Sequence, residues 1–135
     1  MPSGYSGTPL AKKLSLKEGM RVWRDGIPES VAQEIAAEGL QLHLLDAPEA
    51  PIDAAHIFVT ERAVLKARLE QILPLLDRAG FVWVSWPKRM SKVPTDISED
   101  VIREVALPMH LVDVKVCSVD DIWSGLKLVI RREYR

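Results

Sequence analysis

The first candidate for chemistry in this sequence is a basic loop that follows a very apolar strand. Residues 86–95 (WPKRMSKVPT) contain Lys88, Arg89 and Lys92 and no acidic residue. Ammonium and guanidinium groups hold phosphate or carboxylate through charge-assisted hydrogen bonds, and Trp86 would give such a site a flat wall. The loop therefore predicts an anion-binding site, and the alternative interpretation is a solvated surface loop whose Trp86 packs under a helix.

A second candidate segment, residues 60–62, lies where another apolar strand gives way to a helix. Thr60 is predicted to be the helix N-cap, because its side-chain oxygen accepts a hydrogen bond from an unpaired backbone amide. The alternative is that Glu61 and Arg62 face the same cleft as Lys88. Arg62 is therefore a further candidate for ligand binding.

Other common kinds of catalytic and cofactor site have little support. No two of the seven glycines have G-x-G spacing, so neither a Walker loop nor a dinucleotide fingerprint is present. The three histidines have no metal-ligand spacing, and His56, inside an apolar strand, is the best functional candidate among them. The single cysteine, Cys117, is interpreted as a packing residue. The sequence predicts no catalytic residue and no metal site.

Composition and charge indicate one soluble domain over residues 1–135, with residues 1–19 as an N-terminal extension packed on it. The chain is 47% hydrophobic and 27% charged, and its net charge of −1 gives no global positive field. One cysteine fits a reducing compartment, and no secretory signal or bilayer-spanning apolar run is found. We therefore expect a cytoplasmic protein without a membrane partner, for which nucleic acid is an unfavourable partner.

Charge is unevenly distributed along the chain. Residues 25–61 contain eight acidic residues and no lysine or arginine, whereas basic residues cluster at 12–24, 88–92 and 127–135. The common interpretation is a solvated acidic helix face. The alternative is a complementary surface for a protein partner or for self-association into a homo-oligomer.

The elements that position these residues follow from two alternating periodicities. Strands are predicted at residues 20–24, 40–45, 55–60, 81–86, 111–119 and 126–132. Helical periodicity covers residues 31–36, 65–76 and 97–105, and Asp96 with Glu99 forms a capping-box pattern before the last of these helices. The strand at 111–119 alternates, which predicts Asp113, Lys115 and Cys117 on one face.

This order of elements predicts an α/β fold, a three-layer sandwich around a mostly parallel sheet of about six strands. The last two strands are joined by a short loop, which predicts an antiparallel hairpin. Only nine residues, 46–54, separate the second and third strands, so the second is predicted to be short or at an edge. Ligands of such sheets bind beyond the carboxyl ends of the parallel strands, where the basic loop, residues 60–62 and Asp46 all fall.

Three segments of the chain resemble a family of small bacterial proteins of unknown function. They are GYSGTPLAKKL at residues 4–14, SWPK at 85–88 and LVDVKVCSVDDIWSGLKLVIR at 111–131. The resemblance implies a Rossmann-like fold and supplies no catalytic residues.

A more distant resemblance is to the class I methyltransferase fold, in which the last strand of a closing hairpin is inserted antiparallel. It implies that an acidic residue at the end of the second strand holds the cofactor ribose, a place taken here by Asp46, 21 residues after Asp25. The glycine-rich turn of those enzymes is missing, since Gly26 is followed by Ile27 and Pro28. Fold resemblance of this kind argues for architecture and not for chemistry.

Two functions are therefore expected. The leading hypothesis is a non-enzymatic binding or interaction module with an anion-accepting cleft at the carboxyl edge of the sheet, whose partner is an unidentified small anion or protein. The alternative is a degenerate methyltransferase-like protein that binds S-adenosylmethionine or another nucleoside, with Asp46 at the ribose and Trp86 beside the adenine.

Overall fold

The computed structural model describes residues 7–135, so the predicted N-terminal turn around Gly4 and Ser6 lies outside the described residues. The helices are α1 (Leu10–Lys13), α2 (Glu29–Ala36), α3 (Arg62–Ile72) and α4 (Glu99–Ala106). The strands are β1 (Arg21–Asp25), β2 (His43–Leu44), β3 (Ile52–Phe58), β4 (Leu76–Pro87), β5 (Leu111–Ser118) and β6 (Trp123–Ile130). Among residues 7–135, no helix has the length and hydrophobicity needed to cross a membrane.

The six strands form one sheet in the order β2-β1-β3-β4-β6-β5. Strands β1 to β4 are parallel, and β6 runs antiparallel between β4 and β5. Helices α1 and α2 bury their apolar residues on one face of the sheet, and α3 and α4 do so on the other. The predicted α/β class, the mostly parallel six-stranded sheet and the closing antiparallel hairpin are therefore confirmed.

Strand β4 shows why the sheet has helices on both faces. Val82, Val84 and Trp86 pack towards α3 and α4, whereas Phe81 and Trp83 pack towards α1 and α2. A strand that is covered on both sides carries a continuous apolar run instead of an alternating one. Because its side chains enter the hydrophobic clusters on both faces, β4 is central to both cores. Burying each large apolar side chain contributes roughly 1.5–3 kcal/mol to the free energy of unfolding.

Helix α1 is joined to the sheet by a buried hydrogen bond. The indole nitrogen of Trp83 donates to the carbonyl oxygen of Leu14 at 2.8 Å. Leu10, Ala11 and Leu14 are all buried at this contact. A buried indole N–H needs a partner, and the carbonyl at the end of α1 provides it.

Strand β2 is short and lies at the edge of the sheet, as predicted. It has two residues, and residues 45–51, which contain no helix, connect it to β3. A parallel crossover usually contains a helix and a dozen or more residues. The short connection is the reason that β2 pairs with β1 at only two positions.

Two of the predicted helix caps are wrong. Helix α4 is capped by Ser98, whose hydroxyl accepts from the backbone amide of Val101 at 3.3 Å, and not by Asp96. Instead, the Asp96 carboxylate accepts from the backbone amide of Arg62 at 2.7 Å, at the start of α3. Thr60 does not cap α3, and its carbonyl oxygen accepts from the Thr95 hydroxyl at 2.6 Å.

The predicted single face of β5 is also wrong. The pairing of β5 with β6 shifts register between Asp113 and Lys115. Asp113 accordingly contacts Arg103 of α4, with Nε and Oδ2 separated by 3.1 Å, whereas the Lys115 ammonium donates to the Lys13 carbonyl beside α1 at 2.9 Å. An extra residue in one strand directs later side chains to the opposite face, and sequence alternation alone does not reveal it.

Candidate functional site at the carboxyl edge of the sheet

The carboxyl ends of the parallel strands meet at one edge of the sheet. The strand order reverses at β1, because β2 lies on one side of it and β3 on the other. In open α/β sheets, ligands bind outside the carboxyl ends of strands at such a reversal. The edge therefore contains the turn after β1, the segment after β2 and the loops after β3 and β4.

The turn after β1 is tightly packed on the end of β3. Gly26 has a positive φ of 72°, and a Cβ atom added to it would lie 3.0 Å from the carbonyl oxygen of Phe58. Only glycine fits this conformation and this approach without strain. The preceding residue, Asp25, accepts a hydrogen bond from Nε of Arg68 at 2.6 Å, which links β1 to α3.

Asp46 lies on the segment that follows β2 and is exposed to solvent. Leu45, just before it, donates its backbone amide to the carbonyl oxygen of Val22 at 2.9 Å, which holds the segment beside β1. Within residues 7–135, the Asp46 carboxylate makes no hydrogen bond or ion pair. Of the two aspartates at these strand ends, Asp46 thus keeps its acceptor capacity for a ligand, whereas Asp25 is engaged by Arg68.

A buried polar pair lies near this edge, on the α1 and α2 face. Nε2 of His56 and Oγ of Ser85 are 2.7 Å apart, and the Phe58 ring stacks on the imidazole with 4.3 Å between centroids. Burial, with a smaller contribution from the charge of Arg24, lowers the pKa of His56 to about 3. The imidazole is therefore neutral at physiological pH, and with Ser85 0% exposed the pair is closed to solvent.

Sequence reasoning singled out His56 but missed Ser85. The available signal was a lone hydroxyl residue within the apolar segment FVWVSW of β4. A buried hydroxyl needs a hydrogen-bond partner, and among residues 7–135 the only other buried polar side chain is His56.

Lys88 lies at the edge and is hydrogen-bonded to the segment between β5 and β6. Its backbone amide donates to the carbonyl oxygen of Ile122 at 2.7 Å, and its ammonium donates to Oγ of Ser118 at 2.6 Å. Arg89 and Lys92 are exposed, and neither side chain has a hydrogen bond or ion pair within residues 7–135. The structure thus brings Lys88 to the end of β5 while its two predicted companions face solvent.

Trp86 and Arg62 do not lie in one cleft with Lys88. Trp86 is 8% exposed and packs in the core under α3 and α4. Arg62 lines an open pocket of about 360 Å³ between α3 and α4, together with Lys66 and Glu104. Their roles in ligand binding stay predictions.

The loop between β5 and β6 folds back on the sheet. Trp123, which opens β6, packs edge-on against Phe58 with ring centroids 5.2 Å apart. Asp120 in the same loop accepts from the backbone amides of Ile122 and Trp123 at 2.9 and 2.8 Å. These bonds fix the loop beside the carboxyl ends of β3 and β4.

Comparison with solved structures identifies the fold. An S-adenosylmethionine-dependent methyltransferase of Aquifex aeolicus matches with a TM-score of 0.63 at 16% identity, over 90% of this chain and 87% of its own. The ribosomal protein L11 methylase of Lactobacillus delbrueckii subsp. bulgaricus matches with a TM-score of 0.57 at 11% identity, over 91% and 77%. A protein of the NADB-Rossmann superfamily from Streptococcus agalactiae matches with 0.55 at 13% identity, over 97% and 71%.

At these identities the similarity shows the fold alone. The chain has a Rossmann-like fold shared with S-adenosylmethionine-dependent methyltransferases, and the expected fold and the distant resemblance are confirmed at that level. No family model and no curated protein sequence matches the chain. The resemblance of its three segments to a small bacterial family therefore stays a prediction.

Proposed function

We propose that this protein binds S-adenosylmethionine or a closely related adenosyl nucleoside at the carboxyl ends of β1 and β2. The observation that carries the proposal is the placement of Asp46 on this fold. Its exposed carboxylate follows β2, lies in a segment bonded to β1 and has no partner among the described residues. The solved methyltransferases that share the fold support this class of ligand.

Asp46 would hold the ribose of the ligand. An ionised carboxylate offers two oxygens as acceptors, so it can receive both ribose hydroxyls. Asp25 is the competing aspartate at the same edge, but its Oδ2 already accepts from Arg68. The turn at Gly26, which is packed closely on Phe58 at the end of β3, places the end of β1 beside the segment that contains Asp46.

A binding assay on wild-type protein and two matched variants tests the proposal. S-adenosylhomocysteine at about one hundred times its dissociation constant stabilises a protein by roughly 2.7 kcal/mol, which raises the melting temperature by several degrees. Replacing Asp46→Asn should weaken binding at least about tenfold, because it removes a charged acceptor. Glu49→Gln makes the same charge change on the same exposed loop and should leave affinity unchanged.

Two results would overturn the proposal. One is the absence of any shift with S-adenosylmethionine, S-adenosylhomocysteine or adenosine in wild-type protein. The other is equal affinity in wild type and Asp46→Asn, which would remove Asp46 from the ribose. Circular dichroism of both variants shows whether either substitution disturbs the fold.

A second candidate function is anion binding by the loop after β4 in a non-enzymatic module. The side chains of Arg89 and Lys92 favour it, because they are exposed and have no partner among residues 7–135. A thermal shift with phosphate or small dicarboxylates and none with adenosyl compounds would support this candidate. In that case the double variant Arg89→Gln/Lys92→Gln should lose the shift.

A further inference from the structure

A pocket lined with lysines lies between α1 and β5, apart from the ends of β1 and β2. It has a volume of about 490 Å³, and its lining includes Lys12, Lys13, Lys115, Cys117 and Ser118. Pockets that hold small ligands typically have a few hundred to about a thousand Å³. The pocket is thus large enough for a small organic molecule.

Three lysine ammonium groups are linked by hydrogen bonds at or beside this pocket, two of them through Ser118 and the third through Lys13. The ammonium of Lys13 donates to the Ser118 carbonyl at 2.8 Å, and that of Lys88 donates to the Ser118 hydroxyl at 2.6 Å. The ammonium of Lys115 donates to the Lys13 carbonyl at 2.9 Å. Each of these hydrogen bonds uses one of the three ammonium hydrogens, so donors remain for a ligand on every group.

The lysines of this cluster, Lys12, Lys13, Lys88 and Lys115, have no acidic side chain paired with them in the part of the chain that the structure describes. The carboxylate of Asp120, near in sequence, accepts from two backbone amides of its own loop. The positive charges of neighbouring lysines repel one another, and a bound anion would reduce that repulsion.

The pKa values of two neighbouring side chains, Cys117 and Lys127, are affected by the positive charge of these lysines. Burial raises the pKa of the Cys117 thiol, and the charges of Lys13, Lys115 and Lys88 oppose that rise. Burial lowers the pKa of Lys127, and the charges of Lys115 and Lys17 lower it further. All these lysines therefore lie within electrostatic range of this face of the β5–β6 hairpin.

We propose that this pocket binds a small molecule that carries a phosphate or diphosphate group. A phosphate has several acceptor oxygens and more than one negative charge, which matches several convergent ammonium donors better than a single carboxylate does. A small ligand fits better than a long polyanion, because the protein's net charge is −1 and its residues 25–61 are acidic. This inference does not rest on the proposed adenosyl site.

Binding of inorganic pyrophosphate at low salt, measured by isothermal titration calorimetry, tests the site. The double variant Lys13→Gln/Lys115→Gln should raise the dissociation constant by roughly tenfold or more, since two charged donors are lost. The matched variant Lys66→Gln/Arg78→Gln removes the same charge from exposed side chains that do not line this pocket, and it should bind like wild type. Equal losses in the two double variants would show non-specific attraction and overturn the proposal.

A single substitution covers the case in which the first double variant fails to fold. Lys12 is exposed and lines the pocket, and its side chain has no hydrogen bond within the described residues. Lys12→Gln should therefore fold normally and weaken pyrophosphate binding severalfold. Unchanged affinity in Lys12→Gln, together with an unfolded double variant, would count against the pocket.

The single cysteine reports occupancy of the pocket directly. Cys117 is half-buried in its wall, and a bound phosphate would both block the thiol and reduce the lysine charge that favours the thiolate. Pyrophosphate should slow alkylation of Cys117 by iodoacetamide, whereas S-adenosylhomocysteine should not. An unchanged rate with pyrophosphate overturns the proposal, as does stronger protection by a single-stranded oligonucleotide than by pyrophosphate.

Discussion

His56 and Ser85 form a hydrogen bond of 2.7 Å between Nε2 and Oγ at a place closed to solvent. It joins the two central strands β3 and β4 on the face that packs against α1 and α2. Burial holds the imidazole in its neutral form. The pair is therefore a structural contact, and the requirement for a neutral imidazole makes the stability of the fold depend on pH.

Stability should fall in acid because of His56. Its pKa is about 3 in the folded state, below the value of 6.5 expected in the unfolded chain. Below about pH 6.5 the unfolded state binds a proton that the folded state excludes, so unfolding becomes easier by up to about 1.4 kcal/mol for each pH unit. Above that pH the stabilising contribution is complete.

The variant His56→Gln isolates this effect, because glutamine keeps a polar side chain but does not titrate. Between about pH 7 and pH 5, wild type should lose roughly 2 kcal/mol more unfolding free energy than His56→Gln does. Urea denaturation of both proteins at each pH measures the difference. Parallel stability curves would mean that His56 is accessible to protons in the folded protein.

Ser85→Ala should destabilise the protein at neutral pH. The substitution leaves a ring nitrogen of His56 buried without its partner, which costs about 1–3 kcal/mol. Ser124→Ala, which removes the hydroxyl of a half-buried serine on the neighbouring strand β6, is the control and should change stability far less. If both alanine variants unfold at the same urea concentration, the hydrogen bond contributes nothing measurable.

The elements of this fold were predictable because their signals are local. The continuous apolar run at residues 81–86 indicated a doubly covered strand, and that segment is the centre of β4. The short link between the last two strands indicated the hairpin that β5 and β6 form. The short connection after residue 45 indicated that the second strand is marginal, as β2 is.

The grouping of side chains at the carboxyl edge was not predictable, because it depends on contacts between distant residues. Lys13 meets Ser118 across 105 positions of sequence, and Lys88 meets it across 30. The register shift in β5 directs Lys115 towards α1. It cannot be recognised from the alternation of apolar and polar residues in the sequence of this strand. The sequence therefore predicted that Lys88 acts with its neighbours Arg89 and Lys92, whereas in the structure Lys88 and Lys13 both donate to Ser118.

Helix α3 should depend on a cap supplied from another part of the chain. Asp96 accepts the backbone amide of Arg62 at 2.7 Å, while Glu61, at the N-cap position, makes no side-chain capping bond. Asp96→Ala should therefore cost about 0.5–2 kcal/mol, the usual effect of losing an N-terminal cap. Asp96→Asn retains an acceptor oxygen and should recover most of that loss in thermal or urea denaturation. An asparagine variant as unstable as the alanine variant would assign the effect to charge and not to capping.

We expect any substitution of Gly26 to lower the stability of the protein, for two separate reasons. Its φ of 72° is strained for any residue with a side chain, and a Cβ would also lie 3.0 Å from the Phe58 carbonyl oxygen. Gly39 has a φ of 79° and nothing within 4 Å of the same added atom, so Gly39→Ala measures the conformational cost alone, about 1 kcal/mol. Gly26→Ala should cost that amount plus the displacement of the turn from β3, so its unfolding midpoint in urea should be the lower of the two.

Gly26→Ala should also weaken adenosyl binding, because the moved turn lies at the proposed site, whereas Gly39→Ala should bind normally. Equal midpoints in the two variants would mean that the turn after β1 can move away from Phe58 without cost.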